Sequence, residues 1–278
     1  LQAIQHVLSR YASSELPRAL TIFCGNIQAA RYQQRHLDGQ PDFNRIWPGT
    51  EHPPCPETAM AETLVQHLRT DGLFASIDLH NNTGLNPHYG CINRLDAEYL
   101  HLARLFARIV VYFQQPVGVQ SMAFAEFCPA VTLECGKTGN AEGVIHAAAM
   151  VDAVLNLSRF PEHAPAACDI DLFHTVGIVK IPKNLSFSFC DEGCDLRFDS
   201  GLDHLNFCEL SPGTYLAKAR HDQALPEVIG ATGHNMSHEY FEIVAGELRL
   251  RRAVMPSMLT LDVKVIRQDC LCYLMERL

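Results

Sequence analysis

The sequence predicts an α/β domain followed by a smaller all-β domain. Three observations predict it. Helix-period and strand-like runs alternate up to about residue 160. A stretch with Pro161, His163 and Pro165 then breaks the pattern. Beyond it, short apolar runs recur with a period near two. The predicted domains are therefore 1–160 and 161–278. A chain of 278 residues, 47% hydrophobic, can give each a core of its own.

The elements follow in order. Leu1, Ile4, Val7, Leu8 and Tyr11 fall at helical spacing, so the chain opens in an amphipathic helix. Ala19 to Cys24 is an apolar run stopped by Gly25, a buried-strand candidate, and Asn26 to Gln34 a short helix. A loop rich in Gly and Pro leads to a helix over Glu57 to Arg69, stopped near Gly72. Leu73 to Leu79 reads as a strand that delivers His80. Tyr89 to Asn93, Ile109 to Phe113 and Ala130 to Cys135 are further strands. Asp96 to Arg108 and Ala141 to Ser158 are helices, with Asp96 near an N-cap. In the β-rich part, strands are predicted at Phe173–Ile181, Ser186–Phe189, Thr214–Ala217, Phe241–Val244, Glu247–Arg251, Leu261–Ile266 and Cys270–Leu274. Ala245-Gly246 marks a hairpin turn between two of them.

Composition excludes some functions. The net charge is −9, and no Lys/Arg cluster offers a basic face for nucleic acid. No apolar run is long enough to cross a bilayer. The eleven cysteines lack the spacing of a disulfide framework or a zinc ribbon. Buried free thiols in a reducing cytoplasm are the expectation.

Four stretches could carry chemistry. In Ser76-Ile77-Asp78-Leu79-His80-Asn81, an apolar strand ends in a histidine. Ligand sites of open α/β sheets lie at strand carboxyl ends. Asp78 and His80, two apart, leave the strand on one face, where the carboxylate can orient the imidazole toward a metal. The same pattern also fits a loop histidine beside a structural Asp. Arg35, then Asp42-Phe43-Asn44-Arg45, sets two guanidinium forks around acids; such forks grip a carboxylate, or simply form a surface network. Val131-Thr132-Leu133-Glu134 ends an apolar strand in a carboxylate, fit either for a general base or for an ion pair. His234 and His238, four apart in a loop, lack the His-x-His of a cupin metal site and read as structure or cleft wall.

In order along the chain stand Gly25-Asn26, Arg35, Asp42-Phe43-Asn44-Arg45, Asp78-Leu79-His80-Asn81 and Glu134-Cys135-Gly136. This series resembles the succinylglutamate desuccinylase/aspartoacylase family, relatives of the zinc carboxypeptidases, well over residues 1–160 and in outline beyond. The resemblance implies an α/β fold of zinc-carboxypeptidase type, a mixed sheet flanked by helices, followed by a β domain that narrows access to the site. It implies Zn2+ held by His80 and by the His and Glu of an early His-x-x-Glu motif. That motif would lie upstream of Leu1, together with at least one further strand; His6 has no Glu three residues on. Asp78 would orient His80. Glu134 would be the general base, Arg35 would polarise the scissile carbonyl, and Asn44 and Arg45 would hold the substrate carboxylate. The implied activity is hydrolysis of an amide in a small molecule or short peptide bearing a carboxylate. Aspartoacylase places a further substrate-binding Arg before the catalytic Glu, whereas Ser121 to Ala125 contains none. N-acyl amino acids and C-terminal peptide bonds thus both stay open as substrates, as does a homo-oligomer. The alternative is a metal-free binding protein that keeps the fold and the carboxylate-binding arginines.

Overall fold

The computed structural model describes residues 1–278, which divide into two compact units. The first comprises Leu1–His80, His88–Cys135 and Asn140–Asp171; the second comprises Asn81–Pro87, Gly136–Gly139 and Leu172–Leu278.

In the first unit, helices α1 (Gln2–Arg10), α2 (Ile27–Arg31) and α3 (Pro56–Asp71) precede β1 (Ser76–Asn82) and β2 (Tyr89–Ile92). Helix α4 (Ala97–Phe106), β3 (Ile109–Tyr112), α5 (Gln120–Phe124), β4 (Ala130–Lys137) and α6 (Ala141–Asn156) follow. The strands lie in the order β1-β4-β2-β3. Strand β2 runs parallel to β3 and antiparallel to β4, so the sheet is mixed. Local chemistry explains the helix ends. Pro56 opens α3, where its missing N–H costs nothing, and Gly72 closes it with φ +70°. The Asn140 side chain caps α6 by accepting from the Glu142 amide.

Helices α1 and α6 share an apolar cluster of Val7, Val151 and Leu155, against which Ile77 and Leu79 pack. Burying Ile77 and Leu79 on that side sends Asp78 and His80 to the other face of β1. Strand β4 is apolar on both sides: Ala130, Val131 and Leu133 have no solvent exposure. It carries Glu134 in the middle of that burial, at 6% exposure.

One expected strand of the first unit is not formed. Ala19 to Cys24 is irregular chain, with Ile22 and Phe23 about two-fifths exposed. A strand needs a hydrogen-bonding neighbour, and no other segment pairs with this backbone. Its apolar side chains are held otherwise, Leu20 against the α1–α6 cluster and Phe23 edge-on to Trp47 at 5.7 Å.

The second unit contains β5 (Asp171–Lys180), β6 (Phe187–Ser188), β7 (Leu196–Phe198), β8 (Tyr215–Ala219) and β9 (Glu227–Ile229). Then come α7 (Ser237–Tyr240), β10 (Phe241–Val244), β11 (Glu247–Leu250), β12 (Met255–Ser257), α8 (Val263–Gln268) and β13 (Cys272–Arg277). Strand β5 pairs antiparallel with β9 and β13, and β13 with β12. A five-stranded sheet has the order β10-β11-β8-β7-β6. Fully buried Leu196, Ala217 and Leu248 centre its core. The Ala245-Gly246 turn takes positive φ at both residues, 52° and 76°, the geometry whose twist matches a two-residue hairpin.

The strand expected at Leu261 to Ile266 is instead helical from Val263. The Asp262 carboxylate accepts from the amides of Lys264 and Val265 and nucleates that turn. The expectation of buried thiols holds for Cys128, Cys135, Cys270 and Cys272, whereas Cys24, Cys168, Cys190 and Cys208 are exposed; all eleven are free. No helix is long and apolar enough to cross a membrane.

Candidate active site

The site is built on two strands and one loop of the first unit. On β1, the His80 Nε2 lies 3.0 Å from Asp78 Oδ2. The other ring nitrogen, Nδ1, faces Glu134 Oε1 at 3.8 Å. The imidazole is thus held between two carboxylates, each from a separate strand. Burial opposes a charge on this ring. The charge and hydrogen bond of Asp78, helped by Glu134, outweigh it and raise the His80 pKa to about 9, with Arg35 working against them. The Cys135 sulfur faces the His80 amide, while burial pushes its thiol up to about 12. Cys91 lies buried within electrostatic reach of Glu134, and its thiol is raised well above the usual range by burial first and by that carboxylate second. Both thiols are therefore protonated packing groups.

The loop Arg35 to Arg45 adds the basic side. Arg35 donates from Nε and Nη2 to Asp42 Oδ2, at 3.0 and 2.7 Å. The same arginine is close enough to His80 to act on its charge. Asp42 Oδ1 accepts from the Asn44 amide at 3.0 Å, and the turn Phe43–Arg45 starts from that cap. Arg45 Nη1 donates to the Asn44 carbonyl at 2.7 Å, and the Arg45 charge reaches Asp42. Burial opposes ionisation of Asp42, but Arg35, the Asn44 amide and Arg45 together hold its carboxyl below the usual value.

Behind this loop the Thr50 hydroxyl donates to the Arg45 carbonyl. Gly118, at φ +75°, lies so close that an added Cβ would come within 2.9 Å of that carbonyl. The Trp47 amide donates to the Gly118 carbonyl at 3.1 Å. The main chain at Arg45 is therefore fixed from behind.

Asp78, His80, Glu134 and Arg35 thus come together in the structure, and Asn44 and Arg45 join them through Asp42. Asp42 was legible in the sequence only as part of a motif. The signal for its role is the Asp-x-Asn spacing of a side-chain-capped turn.

A catalytic zinc takes three protein ligands and leaves one position open. Here His80 has the bearing of one such ligand, with its partner carboxylate on Nε2. No group of three His, Cys, Asp or Glu side chains converges on one point. The residues of this chain do not by themselves make a zinc site.

No family model matches the chain, and no curated protein is similar to it in sequence. Solved structures are similar in fold. Succinylglutamate desuccinylase from Chromobacterium violaceum is 18% identical with a TM-score of 0.61, covering 100% of this chain and 79% of that one. Murine aminoacylase 3 is 16% identical with a TM-score of 0.61, over 99% of this chain and 89% of that one. The ectoine utilization protein EutE (DoeB) of Ruegeria pomeroyi is 15% identical with a TM-score of 0.61, over 99% and 80%. At these identities the likeness is one of architecture. The mixed sheet flanked by helices, with a second sheet beyond, is the zinc-carboxypeptidase-like fold of the succinylglutamate desuccinylase/aspartoacylase structures.

Proposed function

We propose that the protein hydrolyses an amide bond in a small molecule or short peptide that bears a carboxylate. One observation carries the reading: a buried glutamate facing a carboxylate-held histidine, with an arginine within reach of both the histidine and a second arginine's loop. Its similarity in fold to structures named desuccinylase and aminoacylase supports the same class. In this reading Glu134 takes the proton of the attacking water and returns it to the leaving amine. Arg35 stabilises negative charge growing on the carbonyl oxygen, and Asn44 with Arg45 holds the substrate carboxylate. Asp78 fixes the direction of His80. Zinc dependence belongs to the proposal with His80 as a ligand, and it requires further ligands that these residues do not supply. We place the protein in the cytoplasm, where free thiols stay reduced.

The test is turnover of N-acyl amino acids and short peptides, with and without added zinc. Glu134→Gln is expected to lower kcat by roughly 10²- to 10⁴-fold, the usual worth of a positioned acid–base group. A second reading is a binding protein that grips carboxylates without chemistry; the loop in which Asp42 holds Arg35 and lies within reach of Arg45 favours it. Carboxylate binding that needs Arg45, with no turnover of any such amide in either condition, would establish the second reading and sink the first.

A further inference from the structure

We propose that Asp42 is the positioning residue of the substrate loop, setting Arg35, Asn44 and Arg45 in one arrangement. The inference rests on the carboxylate-binding reading of that loop and deepens it. The two oxygens of Asp42 have separate tasks. Oδ2 takes both Nε and Nη2 of Arg35, at 3.0 and 2.7 Å, which fixes the plane of the guanidinium. Oδ1 takes the Asn44 amide at 3.0 Å and starts the turn Phe43–Arg45, which sets where Asn44 and Arg45 leave the chain. The turn is too short to hold itself. It consists of three residues, and Asn44 departs from helical geometry within it, at φ −89° and ψ 16°.

An isolated surface pair between Arg and Asp contributes little, because water competes for both partners. This pair is partly sheltered, with side-chain exposure of 34% for Arg35 and 21% for Asp42. Arg45 adds a second positive charge within reach of the same carboxylate. Asp42 therefore sets one negative charge within reach of both arginines of the loop. Without it, the fork of Arg35 would lose two hydrogen bonds, and Arg35 and Arg45 would both lose a neighbouring negative charge. It touches neither a reacting atom nor the substrate carboxylate in this role; it acts through the arginines.

Charge and position predict opposite outcomes when Asp42 is neutralised, which makes the proposal testable by sign. Removing a negative charge beside two arginines would, by charge alone, tighten anion binding. A positioning role predicts weaker binding. The probe is succinate, followed by NMR on the arginine Nε–Hε signals of the full chain. Asp42→Asn keeps an oxygen for the Asn44 amide and drops the charged partner of Arg35, so the variant retains the turn and folds. It is expected to bind succinate at least tenfold more weakly than wild type, to shift the Arg35 Nε–Hε signal, and to leave Tm nearly unchanged. Asp42→Ala, which loses both contacts, is expected to be weaker still. Asp38→Asn removes an exposed charge from the same loop and serves as the control with unchanged affinity. Where turnover is measurable, KM is expected to rise and kcat to fall with it, because the Arg35 that Asp42 fixes is the group assigned to the carbonyl oxygen.

Succinate binding by Asp42→Asn as tight as wild type or tighter, while Arg45→Ala abolishes it, would overturn the positioning role and leave the carboxylate reading standing. Succinate binding that is absent in wild type, or indifferent to Arg45→Ala, would overturn that reading and the positioning role with it.

Discussion

At the scale of single residues, the site depends on side chains whose direction follows from backbone period. Asp78 and His80 were legible in the sequence because a strand places residues two apart on one face, and the apolar Ile77 and Leu79 decide which face is buried. Glu134 was legible as an acid after an apolar run, where burial without a partner is costly. The distance from Glu134 to His80 was not legible, because it depends on which strands lie near each other. Thiol accessibility follows the same logic. Spacing excluded disulfides, but a cysteine's exposure depends on what packs over it. Burial raises the Cys128 and Cys135 thiols to about 12, so both stay protonated and covered at neutral pH. In the native protein, Cys24, Cys168, Cys190 and Cys208 should react rapidly with a thiol reagent. Ellman titration should count about four fast thiols by that exposure argument, rising to all eleven on denaturation. Rapid loss of Cys128 or Cys135, located by mass spectrometry, would contradict the packing around Glu134.

Acidity acts on the Arg35–Asp42 pair at the same scale. The Asp42 pKa is depressed in the folded protein relative to its ordinary 3.8. A depressed carboxylate contributes stability that is present above the unfolded pKa and lost as pH falls through the folded one. The pair should therefore persist through mild acid and open only below pH 3.8. A carboxyl carbon NMR titration should place the Asp42 midpoint below the ordinary 3.8. A midpoint at or above the ordinary value would show that Arg35 points elsewhere in solution.

At the scale of elements, most of the longer helices and strands were legible to within a few residues, the short β7, β9, β12, α5 and α7 were not, and two expected strands failed for identifiable causes. The Leu261 to Ile266 segment alternates like a strand, but Asp262 offers a cap at its start, and the capped turn wins. Ala19 to Cys24 has strand composition, yet a strand is a property of a pair, and no segment pairs with it. Helix α6 gives a test of packing against propensity. An alanine in place of a helical glycine ordinarily stabilises by about 1 kcal/mol. At Gly143 the added Cβ would lie 2.0 Å from the Cys135 carbonyl oxygen, on the strand that carries Glu134. Backbone cannot yield that far without moving β4 or α6. Gly143→Ala should therefore destabilise, by about 2 kcal/mol as for overpacking, and it should also disturb the environment of Glu134. Denaturant unfolding measures the first effect; a stabilised variant would mean that α6 does not rest on that carbonyl.

At the scale of the whole molecule, the candidate site draws its side chains from one of the two compact units. The predicted site side chains all lie in the first unit, while the loop Asn81–Pro87 that leaves His80 is counted in the second. That loop is pinned within the second unit. The Thr83 and Thr260 hydroxyls bond at 2.7 Å, Asn86 accepts the Met258 amide, and Gly84 meets the Leu259 carbonyl so closely that a Cβ would fall 1.8 Å from it. This pinning was not legible in the sequence, since each contact joins residues more than 170 positions apart.

Metal binding is the property that belongs to the molecule as a whole, because ligands must converge from separate elements. His80 offers one nitrogen, and Asp78 already serves it. A single imidazole, or an imidazole with one carboxylate, falls short of the three ligands of a catalytic zinc, and affinity grows steeply with each ligand preorganised by the fold. Isothermal titration of zinc into the 278-residue chain should therefore show binding no tighter than micromolar, weakened further by His80→Ala. Protonation competes in the same direction: with the His80 pKa raised to about 9, the ring is mostly charged at neutral pH, and a metal must displace that proton. Binding should consequently strengthen as pH rises toward that value. A tight one-to-one zinc complex, insensitive to His80→Ala, would place the metal away from β1 and separate it from the Glu134 site altogether.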